Sequence, residues 1–172
     1  MDFLEITLRV VHISCGVLWV GGAFFFFIFV EPTANELGPD SEKFMTRIVV
    51  GRRLPVYFIV LSALTVLAGL TLYWIRSAGL QAAWITSPTG LALTIGGVAA
   101  LIAFVGGNAL IKPNVDKLAA LGAELGASGG PPTEAQQRAL RDVQHTLRRI
   151  GTVDIVLLTI AVIAMASARH LG

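Results

Sequence analysis

Charged residues and cysteine are both scarce in this sequence of 172 residues. Asp, Glu, Lys and Arg together make up 14% of the chain, whereas soluble domains usually carry about 25%. The single cysteine, Cys15, excludes an intrachain disulfide and a metal site built from several thiolates of one chain. No phosphate-binding loop, HExxH or CxxC motif is present, so the common chemistries of soluble enzymes are unsupported.

Long apolar segments are abundant instead. Four of them, 10–30, 54–75, 90–111 and 151–168, are close to the length that an α-helix needs to cross a bilayer, which is roughly 20 residues for a hydrocarbon core of about 30 Å. Since backbone groups in lipid must find hydrogen bonds within their own segment, we expect each segment to be helical. The sequence therefore predicts one all-α domain over residues 1–172, an integral membrane four-helix bundle.

The connections between the predicted spans differ in character. Residues 31–53 are expected to form a polar loop, and Lys112-Pro113 opens the longest connection. That connection ends in the segment 133–150, TEAQQRALRDVQHTLRRI, which predicts an amphipathic helix with Thr133 as its N-cap. Its apolar residues recur at helical spacing on one face: Leu140, Val143, Leu147 and Ile150. We expect this helix to continue directly into the fourth span.

Basic residues are divided unevenly between the two sides of the predicted bundle. The two long connections carry Lys43, Arg47, Arg52, Arg53, Lys112, Lys117, Arg138, Arg141, Arg148 and Arg149. The opposite side carries Arg9, Arg76 and Arg169. The positive-inside rule therefore predicts cytoplasmic long connections, a cytoplasmic amphipathic helix and both termini outside. Because the basic residues flank apolar spans, they indicate a multi-pass membrane protein, with the lipid bilayer and not nucleic acid as its partner.

His12 lies in the first predicted span, where ionisable residues are rare and commonly functional. At helical spacing it shares a stripe with Gly16 and Trp19, and Cys15 lies beside it. Histidine is a common ligand of haem iron and of copper. Gly16 leaves room either for a flat cofactor or for a neighbouring helix. Counting about 20 residues back from Val30 places His12 near the outer boundary, so an interfacial histidine bonded to another helix is the alternative.

His170 ends the fourth predicted span, and with both termini outside we expect it at about the level of His12. Two histidines at one level on two helices suit a haem b bound through both axial positions. Alternatively, His12 with Cys15 or Met165 suits a copper ion, because soft sulfur ligands favour Cu(I). The simpler interpretation is that Arg169 and His170 only mark the membrane boundary.

Asp154 lies about one turn inside the fourth predicted span. A carboxylate at this depth needs a cation, and Lys112 and Arg53 are expected at a similar height. This arrangement predicts a structural ion pair that joins helix ends. The alternative is a proton relay or a substrate site.

Several apolar motifs resemble those of a known family. His12 followed by Trp19-Val20-Gly21-Gly22, and the segment Leu64–Tyr73, resemble the CopD-like membrane proteins. The segment Asp154–His170 resembles small four-helix bacterial membrane proteins grouped near them. The resemblance covers most of the chain and implies copper handling. A weaker similarity to HemJ-type membrane proteins implies that His12 is a haem ligand.

The leading hypothesis, based on the sequence and the resemblance, is a small bacterial inner-membrane protein that binds haem b or copper near the outer face through His12. Its role would be electron transfer or metal handling, and no residue is assigned a catalytic role. One alternative is a non-catalytic subunit that packs against a larger membrane complex or a second copy of itself. Another is a small proton-coupled transporter organised around Asp154.

Overall fold

The computed structural model describes residues 2–128 and 133–171, and these residues form helices and turns without a strand. Four helices are long and apolar enough to cross a membrane, which confirms the prediction of an all-α bundle with four spans. These spanning helices are Phe3–Leu37, Leu54–Arg76, Pro88–Ser128 and Glu134–Ala168.

Short π-helical segments divide some of the long helices into separate α-helices. The α-helices are α1 (Phe3–Phe25), α2 (Glu31–Leu37), α3 (Glu42–Thr46), α4 (Leu54–Arg76), α5 (Ala82–Ile85), α6 (Pro88–Gly106), α7 (Lys112–Ser128) and α8 (Glu134–Ala168). Three π-helical segments are π1 (Phe26–Val30), π2 (Arg47–Gly51) and π3 (Gly107–Ile111). Thus α1, π1 and α2 form one continuous helix, and α6, π3 and α7 form another.

Two of the π-helical segments, π1 and π3, end two residues before a proline, Pro32 or Pro113. Proline lacks an N–H group, and within a helix its ring clashes with the carbonyl four residues earlier. A wider turn before the proline accommodates this clash and keeps the chain helical. The helix therefore continues through Pro32 and Pro113, where the sequence indicated the start of a polar loop and of a long connection.

The spanning helices pack mainly as two antiparallel pairs, α1 with α4 and α6 with α8. Small residues allow close approach within each pair. A Cβ atom on Gly16 of α1 would lie 3.4 Å from Cγ2 of Thr65 in α4. In the other pair, a Cβ atom on Gly96 of α6 would lie 3.1 Å from the carbonyl oxygen of Ala161 in α8. The two pairs meet at a buried cluster formed by Trp19, Ala103 and Leu158.

Polar contacts join the helices at one end of the bundle, here named the terminal end. The guanidinium group of Arg76, at the end of α4, donates to Glu5 near the start of α1 over 3.0 Å. The hydroxyl of Thr89, at the start of α6, donates to the carbonyl of Ala168 at the end of α8 over 3.3 Å. The first and last residues that the structure describes, Asp2 and Leu171, therefore lie at the terminal end.

α8 is much longer than a membrane crossing requires. Thr133 and Gln136 form a capping box at its start, and the helix then runs for 35 residues without interruption. At 1.5 Å per residue it is about 52 Å long, compared with about 30 Å for a hydrocarbon core. Its first half therefore projects beyond the spanning bundle, where it packs against α7.

The contact at Gly96 predicts a difference between two adjacent glycines. In Gly96→Ala the new methyl group would lie 2.9 Å from Cγ of Met165 and 3.1 Å from a backbone oxygen of α8. We expect a loss of about 1–3 kcal/mol in unfolding free energy, because overpacking forces the helices apart. Gly97→Ala, which meets nothing within 4 Å, should be neutral or stabilising by up to about 1 kcal/mol. Unfolding of both variants in detergent by SDS titration measures the difference, and equal stabilities would contradict the packing described.

Candidate functional site

A half-open cavity of about 260 Å³ lies at the end of the bundle away from the terminal end, here named the cavity end. All three π-helical segments contribute to its wall. Phe26 and Phe27 come from π1, Val49 from π2 and Asn108 from π3. π-Helical turns are rare in proteins and are frequently found at functional sites. Their convergence on one cavity makes it the candidate functional site.

The walls of the cavity are mainly apolar, with five aromatic side chains. These are Trp19, Phe26, Phe27, Phe58 and Phe104. Trp19, which shares the predicted stripe with His12, belongs to the buried core cluster and borders this cavity. The volume lies just below the range of roughly 300–1,000 Å³ that is usual for small-molecule sites. A small, largely apolar ligand fits such a space.

The cavity also has a set of polar lining residues: Glu31, Asn35, Ser62, Asn108, Lys112, Gln144 and Asp154. Three of them are satisfied by nearby groups. The side-chain amide of Asn108 donates to the carbonyl of Phe104 over 2.7 Å. The hydroxyl of Ser62 donates to the carbonyl of Ile59 over 3.2 Å. Lys112 forms an ion pair with Asp116 at 2.6 Å.

The carboxyl groups of Glu31 and Asp154 differ from these satisfied groups. Within residues 2–128 and 133–171, neither has a hydrogen bond or an ion pair within 4.0 Å. The predicted pairing of Asp154 with Lys112 or Arg53 is not formed, because Lys112 pairs with Asp116. Arg53 is exposed in the turn before α4, with a φ of 53°. Asp154 is therefore a half-buried carboxyl group without a counter-charge in contact.

The register of α1 and α8 sets the positions of the two carboxyl groups. A Cβ atom on Gly151 would lie 3.0 Å from Cε2 of Phe27, so these residues mark the same level of the bundle. Glu31 follows Phe27 by one turn toward the cavity end, whereas Asp154 follows Gly151 by about one turn toward the terminal end. The two residues are therefore about 10 Å apart along the bundle axis. Arg148, one turn before Gly151, lies at the level of Glu31.

His12 lies in the interface between α1 and α4, toward the terminal end. Its Nδ1 atom is 2.8 Å from the carbonyl oxygen of Thr65. Because a carbonyl only accepts, Nδ1–H donates, and in the neutral ring Nε2 carries no proton. The ring lies over Gly69, where a Cβ atom would come within 2.7 Å of Cε1. The neighbouring Gly16 faces Thr65, so α4 takes the space beside it.

The other residues considered for metal binding are separated between the two helix pairs. His170 is exposed, and its Nε2 accepts a hydrogen bond from Nε of Arg169 over 2.9 Å. Cys15 is a half-buried free thiol on α1, while Met165 packs against α6. In the part of the chain that the structure describes, no three His, Cys, Asp or Glu side chains are grouped to hold a metal ion. His12 thus bonds to the carbonyl of Thr65, whereas His170 bonds to the side chain of Arg169.

Glu31 is the candidate residue that sequence reasoning missed. It follows the first predicted span directly, and the next residue, Pro32, indicated a loop. The structure continues the helix to Leu37, so Glu31 stays in helical register one turn after Phe27. An acidic residue one turn beyond an aromatic run was the available signal.

Comparison with known proteins shows that no family model, no curated protein and no solved structure matches this chain.

Proposed function

We propose that this chain is a small proton-coupled carrier of organic cations, with the cavity as its binding site. The observation that supports the proposal is the position of Asp154, a carboxyl group on the wall of a mainly apolar cavity without an ion-pair partner among the described residues. An uncompensated carboxylate in such surroundings is unfavourable by several kcal/mol. Asp154 therefore requires either a proton or a bound cation.

The walls of the cavity favour an organic cation over an inorganic one. Ca²⁺ takes 6–8 oxygen ligands around one ion, whereas the two carboxyl groups without partners among the described lining residues, Glu31 and Asp154, lie about 10 Å apart along the bundle axis. Aromatic faces attract a cation within about 6 Å, and Trp19, Phe27 and Phe58 supply such faces. A ligand with an apolar body and one positively charged group satisfies both the walls and Asp154.

Competition between a proton and the cation provides the coupling. When a singly charged ligand binds, the Asp154 carboxyl group releases its proton and its carboxylate balances the ligand charge. When the ligand leaves, a proton returns to the same oxygen. One proton therefore exchanges for one monovalent cation, and the cavity never holds an uncompensated charge.

We further propose that the cavity end faces the cytoplasm of a bacterial cell and that both termini lie outside the inner membrane. The long helices α7 and α8 project from the cavity end, and ten of the thirteen Lys and Arg residues belong to the two connections at this end. The positive-inside rule favours this orientation. The ligand would then enter the cavity from the cytoplasmic side.

The role of Asp154 is tested with a charged ligand and its uncharged analogue. We expect purified protein in detergent to bind benzyltrimethylammonium, and Asp154→Asn to weaken its affinity about tenfold or more, because the amide cannot balance the charge. Asp142→Asn is the matched control, since Asp142 is exposed on the same helix and lies outside the cavity. Isothermal titration calorimetry measures the affinities, and proteoliposomes measure uptake driven by a proton gradient.

The uncharged analogue, neopentylbenzene, separates charge from apolar fit. We expect neopentylbenzene to bind more weakly than the cation, and its affinity to be the same for the wild-type protein and for Asp154→Asn. Equal affinity of the wild-type protein for both compounds would refute a cation site and indicate a general apolar pocket. Equal effects of the Asp154 and Asp142 variants would also refute the proposal.

The orientation is tested with two introduced cysteines in a Cys15→Ala background. Gln81→Cys lies at the terminal end, and His145→Cys lies on the projecting part of α8; both positions are exposed. A membrane-impermeant maleimide added to intact spheroplasts should label Gln81→Cys alone and should label both variants after lysis. Labelling of His145→Cys alone in intact spheroplasts would reverse the orientation.

A second candidate function is metal or haem binding at His12, favoured by its hydrogen bond to Thr65. A histidine that binds a metal commonly donates its other ring N–H to a backbone carbonyl, which leaves Nε2 as the ligand atom. The residue present thus fits one ligand position of a haem b or of a copper ion. Such a group would supply electron transfer. The carbonyl of Thr65 would hold the imidazole of His12 in place through its hydrogen bond.

The histidine hypothesis is tested by absorption spectroscopy after addition of haem, and by copper binding. If it holds, His12→Ala abolishes binding, and Gly69→Ala weakens it about tenfold or more, because the new methyl group displaces the ring from its hydrogen bond. Gly21→Ala is the control, since a Cβ atom there meets nothing within 4 Å. A colourless wild-type protein that binds no copper would exclude this function.

A further inference from the structure

Arg148 lies beside the cavity without lining it. It is exposed on α8, one turn before Gly151, whereas Glu31 lines the cavity one turn after Phe27. Because Gly151 and Phe27 are in contact, Arg148 and Glu31 lie at the same level of the two antiparallel helices. The two side chains do not form an ion pair within 4.0 Å.

This arrangement gives the two carboxyl groups different electrostatic surroundings. Among the described residues neither carboxyl group forms an ion pair, but Arg148 lies at the level of Glu31 and about 9 Å from Asp154 along the bundle axis. A cation that reaches Asp154 therefore meets a negative charge that no basic side chain in the described part of the protein is paired with. A second cation at Glu31 would meet the repulsion of a guanidinium group fixed in the same protein.

We propose that Arg148 restricts the cavity to singly charged ligands by neutralising Glu31, which is a second cation subsite about 10 Å from Asp154 along the bundle axis. Arg148 is thus a specificity-determining residue, and removal of its charge admits ligands with two positive groups. This inference rests on the proposed function, since it requires that a cation binds at Asp154.

Two ligands that differ by one positive group test for the second subsite. Benzyltrimethylammonium carries one positive group, and 1,4-bis(trimethylammoniomethyl)benzene carries a second one on the opposite side of the same ring. The two compounds share one apolar body, so the ratio of their affinities reports the second subsite. Both compounds have the same ring and the same first positive group. Any effect of the protein's charge on the binding of these shared parts therefore cancels in the ratio of the two affinities.

The experiment compares Arg148→Gln with Arg149→Gln in the full-length protein by isothermal titration calorimetry. Arg149 is the adjacent exposed residue and carries the same charge. We expect Arg148→Gln to raise the affinity for the doubly charged compound about tenfold relative to the singly charged one. Arg149→Gln should leave the ratio unchanged, and Arg148→Gln with Glu31→Gln should return it to the wild-type value.

The outcomes separate this inference from the proposed function. If the singly charged compound binds through Asp154 but Arg148→Gln leaves the ratio unchanged, the inference fails and the proposed function stands. A similar rise in Arg149→Gln also overturns the inference, because it shows an effect of net charge. If the singly charged compound does not bind the wild-type protein, both proposals fail. Retained binding of that compound by Arg148→Gln shows that the variant is folded.

Discussion

Lipid offers no hydrogen bonds to a backbone, and the course of this chain follows from that constraint. A proline within or beside a spanning helix removes one backbone donor and clashes with a carbonyl one turn earlier. The chain does not leave the helix at Pro32 or Pro113, and each of these residues follows a π-helical turn. A wider turn moves side chains around the helix axis, so π1 and π3 re-aim residues at one end of the bundle. The cavity forms where these turns converge.

The two ends of the bundle differ because their contact residues differ in size. Toward the terminal end, Gly16 and Gly69 let α4 approach α1, and Gly96 lets α8 approach α6. Toward the cavity end, Phe26, Phe27, Phe58 and Phe104 line the space between the helices. Large rings at a helix interface fill space incompletely unless their shapes interlock. These aromatic residues therefore form much of the apolar wall of the cavity.

The number of spans could be predicted from the sequence because a span depends on composition over about 20 residues, and the four apolar segments satisfy that condition. The candidate site could be predicted only in part. Asp154 stood out as a carboxyl group within an apolar segment, but its predicted cation, Lys112, bonds within its own helix to Asp116. Glu31 was missed because Pro32 indicated a loop, and the accommodation of proline by a π-helical turn depends on the surrounding helices. The partner of His12, the Thr65 carbonyl, lies 53 residues away in sequence, and local patterns do not contain such contacts.

The polar groups of the bundle differ in how their charge or hydrogen-bonding capacity is satisfied. At the terminal end, Glu5 meets Arg76 and the His12 N–H meets a carbonyl, so both are satisfied within the protein. In the cavity, the carboxyl group of Asp154 is not satisfied by another described group of the protein. A protein that only needed stability would lose nothing if an apolar residue replaced Asp154. A carboxyl group with no ion-pair partner there contributes to stability only when something outside the chain completes it. In the proposed function, the cost of leaving Asp154 without a partner becomes the affinity for a proton or a cation, and the charge of Arg148 then determines whether Glu31 adds to that affinity.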